Sequence, residues 1–380
     1  MKRLMIGLLL MATLANSCRA PQPAIAIPTQ AVQERPLPPA TPAAPVVSSL
    51  IVPEPVSTTV PASPAPSAPP EFGLQIHGCG YPLADAIELV TRAGFSWVKQ
   101  QVRWDEIEGV RGAYAWKCID DVVDQAHARG LKVLLSVTTA PRWAKTWTAG
   151  EAGPPDADLF AGFVTNMVKR YSGKVHAIEI FNEPNLAVEW GDNLNPGYYV
   201  QMLIAASQAI KRVDSRIMVI SAGLAPTRWN DWGMAIDDLD YMRRIGTDAA
   251  HYADCIGAHF NDGTSSPLLP GSPFEQLILT YWTLVGQSRP ICLTEFGVAT
   301  PVNGKTPKGF QWASKTTPDQ QAQWLVDGVH WAKAHPGVLR LTIVWNLNYY
   351  SDAGDPNSLY ALWTPMGMRP AYDALRAEIK

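Results

Sequence analysis

The sequence lacks the charge excess that would draw it to a polyanion: 31 lysines and arginines face 34 aspartates and glutamates, a net charge of −3. No basic stripe breaks this balance, which argues against nucleic acid as a partner. Cysteine is scarce, with five residues in 380. The spacing of Cys79, Cys118, Cys255 and Cys292 fits no zinc pattern, and no His-Glu-x-x-His occurs, so no metal site is expected. No Gly-x-Ser-x-Gly is present, which removes the nucleophile turn that an α/β-hydrolase esterase requires. His77-Gly78-Cys79-Gly80-Tyr81 is not a Gly-x-Gly-x-x-Gly turn, so a doubly wound dinucleotide-binding sheet is the weaker fold reading. The apolar run at 4–14 is too short to cross a bilayer stably as a helix.

That short run does have a role. Lys2 and Arg3 precede it, and residues 1–17 read as a secretory signal. It runs into Leu14-Ala15-Asn16-Ser17-Cys18, which resembles the lipobox of bacterial lipoproteins. The resemblance implies a lipid on Cys18 and a secreted or cell-surface protein whose only membrane contact is that anchor. Simple cleavage without a lipid is the alternative. Residues 19–70 hold 15 prolines among Ala, Ser, Thr and Val, with no aromatic side chain. Such a segment cannot bury enough apolar surface to offset its ordering entropy, and a disordered tether is expected. At polyproline II rise it could reach roughly 150 Å at most.

Residues 71–380 have globular composition and hold all 14 tryptophans. Apolar runs at 74–77, 97–102, 132–137, 175–181, 217–221, 255–259, 291–295 and 341–346 read as strands. Amphipathic segments at 83–93, 119–129, 159–171, 198–213, 231–245, 274–285, 317–334 and 369–379 read as helices between and after them. Strict alternation predicts an α/β fold of the (β/α)₈ TIM-barrel type in a single domain, expected as a monomer. Cys255 and Cys292 fall inside apolar strands and are expected as buried thiols. Cys79 and Cys118 can bridge in an oxidising compartment, but their spacing does not establish it.

Chemistry in a barrel sits at the C-terminal strand ends, and two of those ends stand out. Ile178-Glu179-Ile180-Phe181-Asn182-Glu183-Pro184 and Ile291-Cys292-Leu293-Thr294-Glu295-Phe296-Gly297 each run from an apolar strand into a carboxylate and a breaker. A carboxylate at the mouth of a buried strand is expensive to desolvate. Two of them facing across a pocket are what cleavage of a glycosidic bond needs, one as acid and one as nucleophile or base. Capping a loop or pairing with a lysine is the bland alternative for either one alone. Glu179 shares strand parity with Glu183 and is expected to face inward and pair with Lys99.

The motifs Phe181-Asn182-Glu183-Pro184-Asn185 and Thr294-Glu295-Phe296-Gly297 resemble those of the clan A retaining glycoside hydrolases, in the branch around families 5 and 39. Trp104-Asp105-Glu106-Ile107-Glu108, Pro141-Arg142-Trp143-Ala144 and Trp345 add to the likeness, which covers the whole globular part. The resemblance implies Glu183 as acid/base and Glu295 as nucleophile. It also implies Asn182 as a partner of the sugar's 2-hydroxyl, His259 near the site and Trp345 as the floor of the cleaved subsite. Two positions depart from the pattern. Lys99 stands where an arginine is usual, giving charge without the bidentate fork. His259-Phe260-Asn261 lacks the tyrosine that often follows the histidine, leaving its hydrogen bond unassigned.

A retaining mechanism needs carboxyl groups about 5–5.5 Å apart and in opposite protonation states, which mutual repulsion and unequal environments produce. Such a pair works without a cofactor. The expected partner is a β-linked carbohydrate of the xylan or β-glucan type. Further candidates for sugar contact are His77, Trp143, Lys99 and Asn346, with loop packing the alternative for Trp143. A noncatalytic carbohydrate-binding lipoprotein on the same barrel is the competing reading.

Overall fold

A computed structural model describes residues 69–147, 152–231, 233–350 and 354–379. The signal, Cys18 and the tether up to residue 68 lie outside the described residues. Eight parallel strands form one sheet in the order β5-β4-β3-β2-β1-β8-β7-β6. They are β1 (Glu71–Ile76), β2 (Trp97–Arg103), β3 (Lys132–Thr138), β4 (Ala177–Ile180), β5 (Met218–Ser221), β6 (Ile256–Asp262), β7 (Ile291–Val298) and β8 (Leu339–Val344). The two ends of this order meet at a β5–β6 seam. There Ile220 bridges Cys255, and the Ser221 amide donates to the Cys255 carbonyl at 3.1 Å. Gly257 makes the seam possible, because a Cβ at that position would lie 2.0 Å from the Ser221 carbonyl oxygen. The result is the (β/α)₈ barrel expected from the alternation.

The helices are α1 (Leu83–Arg92), α2 (Trp104–Ile107), α3 (Lys117–Ala128), α4 (Ala157–Arg170), α5 (Ala187–Trp190), α6 (Pro196–Val213), α7 (Asp238–Tyr252), α8 (Pro273–Leu284), α9 (Pro318–Ala334) and α10 (Pro370–Ile379). Several starts are written locally. Asp156 and Asn195 cap α4 and α6, and Thr317 with Gln320 forms a capping box on α9, whose first residue is Pro318. The expected helix at 231–245 begins later, at Asp238. Before it, Asp231 bridges Ala235 and Ala235 bridges Leu186. The acidic pair Asp238 and Asp240 marks the true first turn, where negative charge suits the helix dipole.

Strand alternation sorts side chains into two cores. Leu74, Ile76, Val98, Val133, Leu135, Ile178, Ile180 and Val219 face the helical shell and share one large cluster with it. The opposite parity points into the barrel. Its lower layer is apolar: Trp97, Leu134, Ala177, Met218, Ile220, Cys255, Cys292, Leu341 and Ile343 pack together. Its upper layer is polar and equally buried, with Gln75, Lys99, Ser136, Glu179, His259 and Thr294 all at 0% exposure.

The cysteines correct one expectation. Cys255 and Cys292 are not thiols but a disulfide, with Cα atoms 5.7 Å apart. Neighbouring parallel strands with Gly257 beside Cys292 bring them together inside the lower barrel. Cys79 and Cys118 form a second disulfide, tying the loop after β1 to α3. Among the described residues no helix is long and apolar enough to cross a membrane.

Candidate active site

Glu183 stands just past β4, where the chain makes an unusual turn. Phe181 and Glu183 both have left-handed backbone angles, φ 72° and 40°. Such angles are costly for side chains of this size and persist only where surrounding contacts impose them. The contacts are present. The Glu183 amide donates to the Gly223 carbonyl at 3.1 Å, and the Leu186 amide donates to the Glu183 carbonyl at 2.9 Å. Asn185 completes the clamp: its Nδ2 donates to the carbonyls of Ala225 and Ile236, and its Oδ1 accepts from the Ala225 amide. The asparagine that ends the sequence motif therefore locks the turn.

Glu295 reaches the site by a different device. Along β7, Leu293 pairs with Ala258 but Glu295 pairs with His259, so Thr294 is an extra residue. This bulge resets the alternation. Thr294 points inward and donates to Glu179 Oε1 at 2.6 Å. Glu295, the very next residue, also points inward, while Phe296 returns to the outer core against Phe274.

The two carboxyl groups meet at His259. A Glu183 oxygen, a His259 ring nitrogen and a Glu295 oxygen all lie within 4.8 Å of one another. His259 Nδ1 is 2.9 Å from Glu183 Oε1 and 3.6 Å from Glu295 Oε2, and Nε2 is 3.7 Å from Glu179 Oε1. Burial alone would lower its pKa, but Glu295, Glu179 and Glu183 outweigh that and hold it up at about 10. The charged ring therefore donates through Nδ1 to Glu183. Gly223 allows the ring in, since a Cβ there would lie 2.1 Å from His259 Cδ2. Burial raises the Glu183 pKa and Glu295 adds to it, with His259 pulling the other way. This trio is also the grouping among the described residues with the spacing of metal ligands.

Beneath the trio lies an ionic floor. Lys99 Nζ is 3.0 Å from Glu179 Oε2, 3.5 Å from Glu295 Oε1 and 3.2 Å from the Thr294 carbonyl. The expected Lys99–Glu179 pair is present. Burial opposes ionisation of Glu179, but Lys99, then His259 and Thr294, hold its pKa well below the usual carboxylate range. Asn261 Nδ2 donates to Glu295 Oε2 at 2.9 Å and fills the hydrogen bond left unassigned in the sequence. Its place two residues after His259, on the same strand face, was the available signal. Tyr360 supports it by donating to the Asn261 carbonyl.

Not every candidate joins the cluster. His77 stands edge-on to Trp345 at 5.6 Å and to Tyr349 at 4.6 Å, an aromatic wall between the ends of β1 and β8. Burial, then Lys99, lowers the His77 pKa to about 3, so its ring is neutral. His77 Nε2 and Trp345 Nε1 have no hydrogen-bond partner among the described residues. Trp143 instead donates to the Glu108 carbonyl and packs edge-on against Trp104, with Arg111 over its ring. Asn346 uses both ends of its amide within its own loop, toward Asn357 and Tyr349. Asn182 Nδ2 donates to Glu189 Oε1 at 3.3 Å, and Gln101 Nε2 approaches Asn182 Oδ1 at 3.5 Å. Glu189 had no motif to announce it, whereas Gln101 lies toward the C-terminal end of β2, where barrel side chains are expected to reach the site.

The chain matches the family model of cellulase, glycosyl hydrolase family 5, over residues 63–350. It belongs to that family. This family 5 member is a glycosidase, and its barrel is shared with solved structures of low identity. One is a family 39 glycoside hydrolase from the gut symbiont Bacteroides cellulosilyticus, 17% identical with a TM-score of 0.61. The match covers 82% of this chain and 63% of that one, so the chain spans less than two thirds of that enzyme. An endo-β-1,4-glucanase from Xanthomonas axonopodis pv. citri matches at 14% identity and a TM-score of 0.58, over 82% of this chain and 98% of that one. An exo-β-1,4-mannosidase from an Opitutaceae bacterium matches at 14% identity and 0.58, over 83% and 61%. No curated protein matches the chain.

Proposed function

We propose that the chain is a retaining β-glycosidase acting on β-linked oligo- or polysaccharide of the xylan or β-glucan type. The observation that carries this reading is the close approach of Glu183 and Glu295, with oxygens within 4.8 Å. Retaining glycosidases hold their carboxyl groups about 5–5.5 Å apart, whereas inverting ones leave room for a water at about 6.5–9.5 Å.

In the first step, Glu295 attacks the anomeric carbon and the bond to the leaving oxygen breaks. Glu183 gives that oxygen its proton. His259 occupies Glu183 Oε1, leaving Oε2 as the oxygen free to carry it. Lys99 and Asn261 hold Glu295 in line. Esterification then removes the Glu295 charge, which makes Glu183 easier to keep ionised. Glu183 takes a proton from water, the hydroxide displaces Glu295, and the sugar leaves with its original β configuration. Asn182, beside Glu183, is placed for the hydroxyl next to the reacting carbon. Trp345 and His77 form an aromatic wall beside the site, where ring faces can stack on a sugar. The proposal places this chemistry on a cell surface, through a lipid on Cys18. Mass spectrometry of the mature N-terminus would overturn that part by finding it unmodified or downstream of Cys18.

Leaving-group dependence tests the assignment. Glu183→Ala should lose far less on a 2,4-dinitrophenyl β-glycoside than on an unactivated one, since dinitrophenolate departs without a proton. Azide should speed turnover and yield a β-glycosyl azide. Glu295→Ala with azide should yield the α product. Equal losses on both substrates, with no azide effect, would remove Glu183 as acid/base. Binding of oligosaccharide without turnover by the unmutated protein would favour the noncatalytic reading instead.

A further inference from the structure

Glu189 lies on α5, six positions beyond Glu183, in a segment that the sequence motif does not reach. Beyond the left-handed turn at Glu183, α5 brings Glu189 to Asn182, and Glu189 Oε1 accepts from Asn182 Nδ2 at 3.3 Å. On the other side of the same amide, Gln101 Nε2 lies 3.5 Å from Asn182 Oδ1. In this arrangement Glu189 accepts from one end of the Asn182 amide and Gln101 donates to the other, so the amide is held between them. Asn182 is 6% exposed and shares its backbone turn with Glu183.

A carboxyl is a demanding choice for this place. Burial, then the charge of Glu183, pushes the Glu189 pKa up to about 8, with Glu295 adding and Asn182 and Arg103 opposing. Glu189 is half-buried, and the rise favours its protonated form, in which one oxygen still accepts from Asn182 with less negative charge beside the reacting pair.

We infer, resting on the retaining-glycosidase reading above, that Glu189 is a positioning residue: it orients the Asn182 amide toward the hydroxyl on the sugar carbon next to the one attacked. Hydrogen bonds to that hydroxyl strengthen in an oxocarbenium-like transition state, so a loosened Asn182 lowers kcat more than it raises KM.

The test compares the full-length enzyme with E189A, E189M and E189Q. The substrates are whichever of the 2,4-dinitrophenyl β-glucoside, β-xyloside and β-mannoside is cleaved fastest, and its 2-deoxy counterpart. E189A should lose about tenfold in kcat on the hydroxylated substrate, the worth of one hydrogen bond, and little on the 2-deoxy compound. E189M, close in length and without an acceptor, should behave the same way and replaces E189A if that variant does not fold. E189Q keeps an oxygen that accepts from Asn182 and should restore the rate on the hydroxylated substrate. Equal losses on both substrates, or no loss on either, would overturn the role of Glu189 while leaving the glycosidase intact. An unmutated enzyme inactive on these glycosides and on xylan, mannan and β-glucan oligosaccharides alike would overturn the glycosidase reading, and this inference with it.

Discussion

The lower and upper halves of the barrel interior are built on the same strands yet held together by opposite means. Below, Trp97, Leu134, Met218, Ile220 and Ile343 fill the space with carbon, and the Cys255–Cys292 disulfide closes it near the seam. Above, Lys99, Glu179, His259, Glu183 and Glu295 replace carbon with charge. The apolar half is stabilised by burial and close packing, which need no particular pH. The charged half is stable only as a complete network, because any member left without its partner is a buried, uncompensated ion. Stability and reactivity are thus separated by a few residues along each strand.

The comparison can be broken hardest at Glu295. Its replacement by alanine should cut hydrolysis by about 10⁵-fold or more, as loss of a nucleophile does, and should lower the melting temperature, because Lys99 and His259 each lose a buried partner. Measured kcat with differential scanning calorimetry checks both halves of that statement. Lys99→Met comes next. It leaves Glu179 facing a neutral chain, and the expected loss is about 3–5 kcal/mol in denaturant unfolding, with activity falling alongside. A stable, active Lys99→Met would mean that the upper network is not cooperative. Opening the lower disulfide with Cys255→Ala and Cys292→Ala together should cost about 2–4 kcal/mol, because the bridge closes a long loop. Activity per folded molecule should stay near that of the parent, since neither sulfur touches the upper network.

The smallest effect sharpens the contrast through pH. The His259 pKa is raised in the fold to about 10, so its stabilising contribution is complete below its ordinary value near 6.5. That contribution is lost as pH rises through 10, and the melting temperature should fall by several degrees across this window. His259→Gln should flatten the slope. A slope that persists in the variant would assign the titration elsewhere.

The alternation of apolar runs and amphipathic segments was enough to name the barrel, because each strand and helix carries its own periodicity and several helix starts carry their own caps. Glu183 and Glu295 were legible for a related reason: a carboxylate ending an apolar run is conspicuous in one dimension. Glu179 followed from strand parity, and Lys99 from the resemblance, where it stands in the place of an arginine. Other features depend on residues distant in the chain becoming neighbours. The Cys255–Cys292 bridge required β6 and β7 to lie side by side in a particular register. Glu189 reached Asn182 only because Glu183 adopts a left-handed turn that Gly223 and Asn185 hold in place. Glu295 faces the site because Thr294 is inserted opposite Ala258 and His259, a bulge that simple alternation could not reveal. Local sequence determined which residues could be reactive, since hydropathy and chain stiffness act over a few positions. Tertiary structure decided which of them point at one another, since direction at a strand end is set by the neighbouring strand.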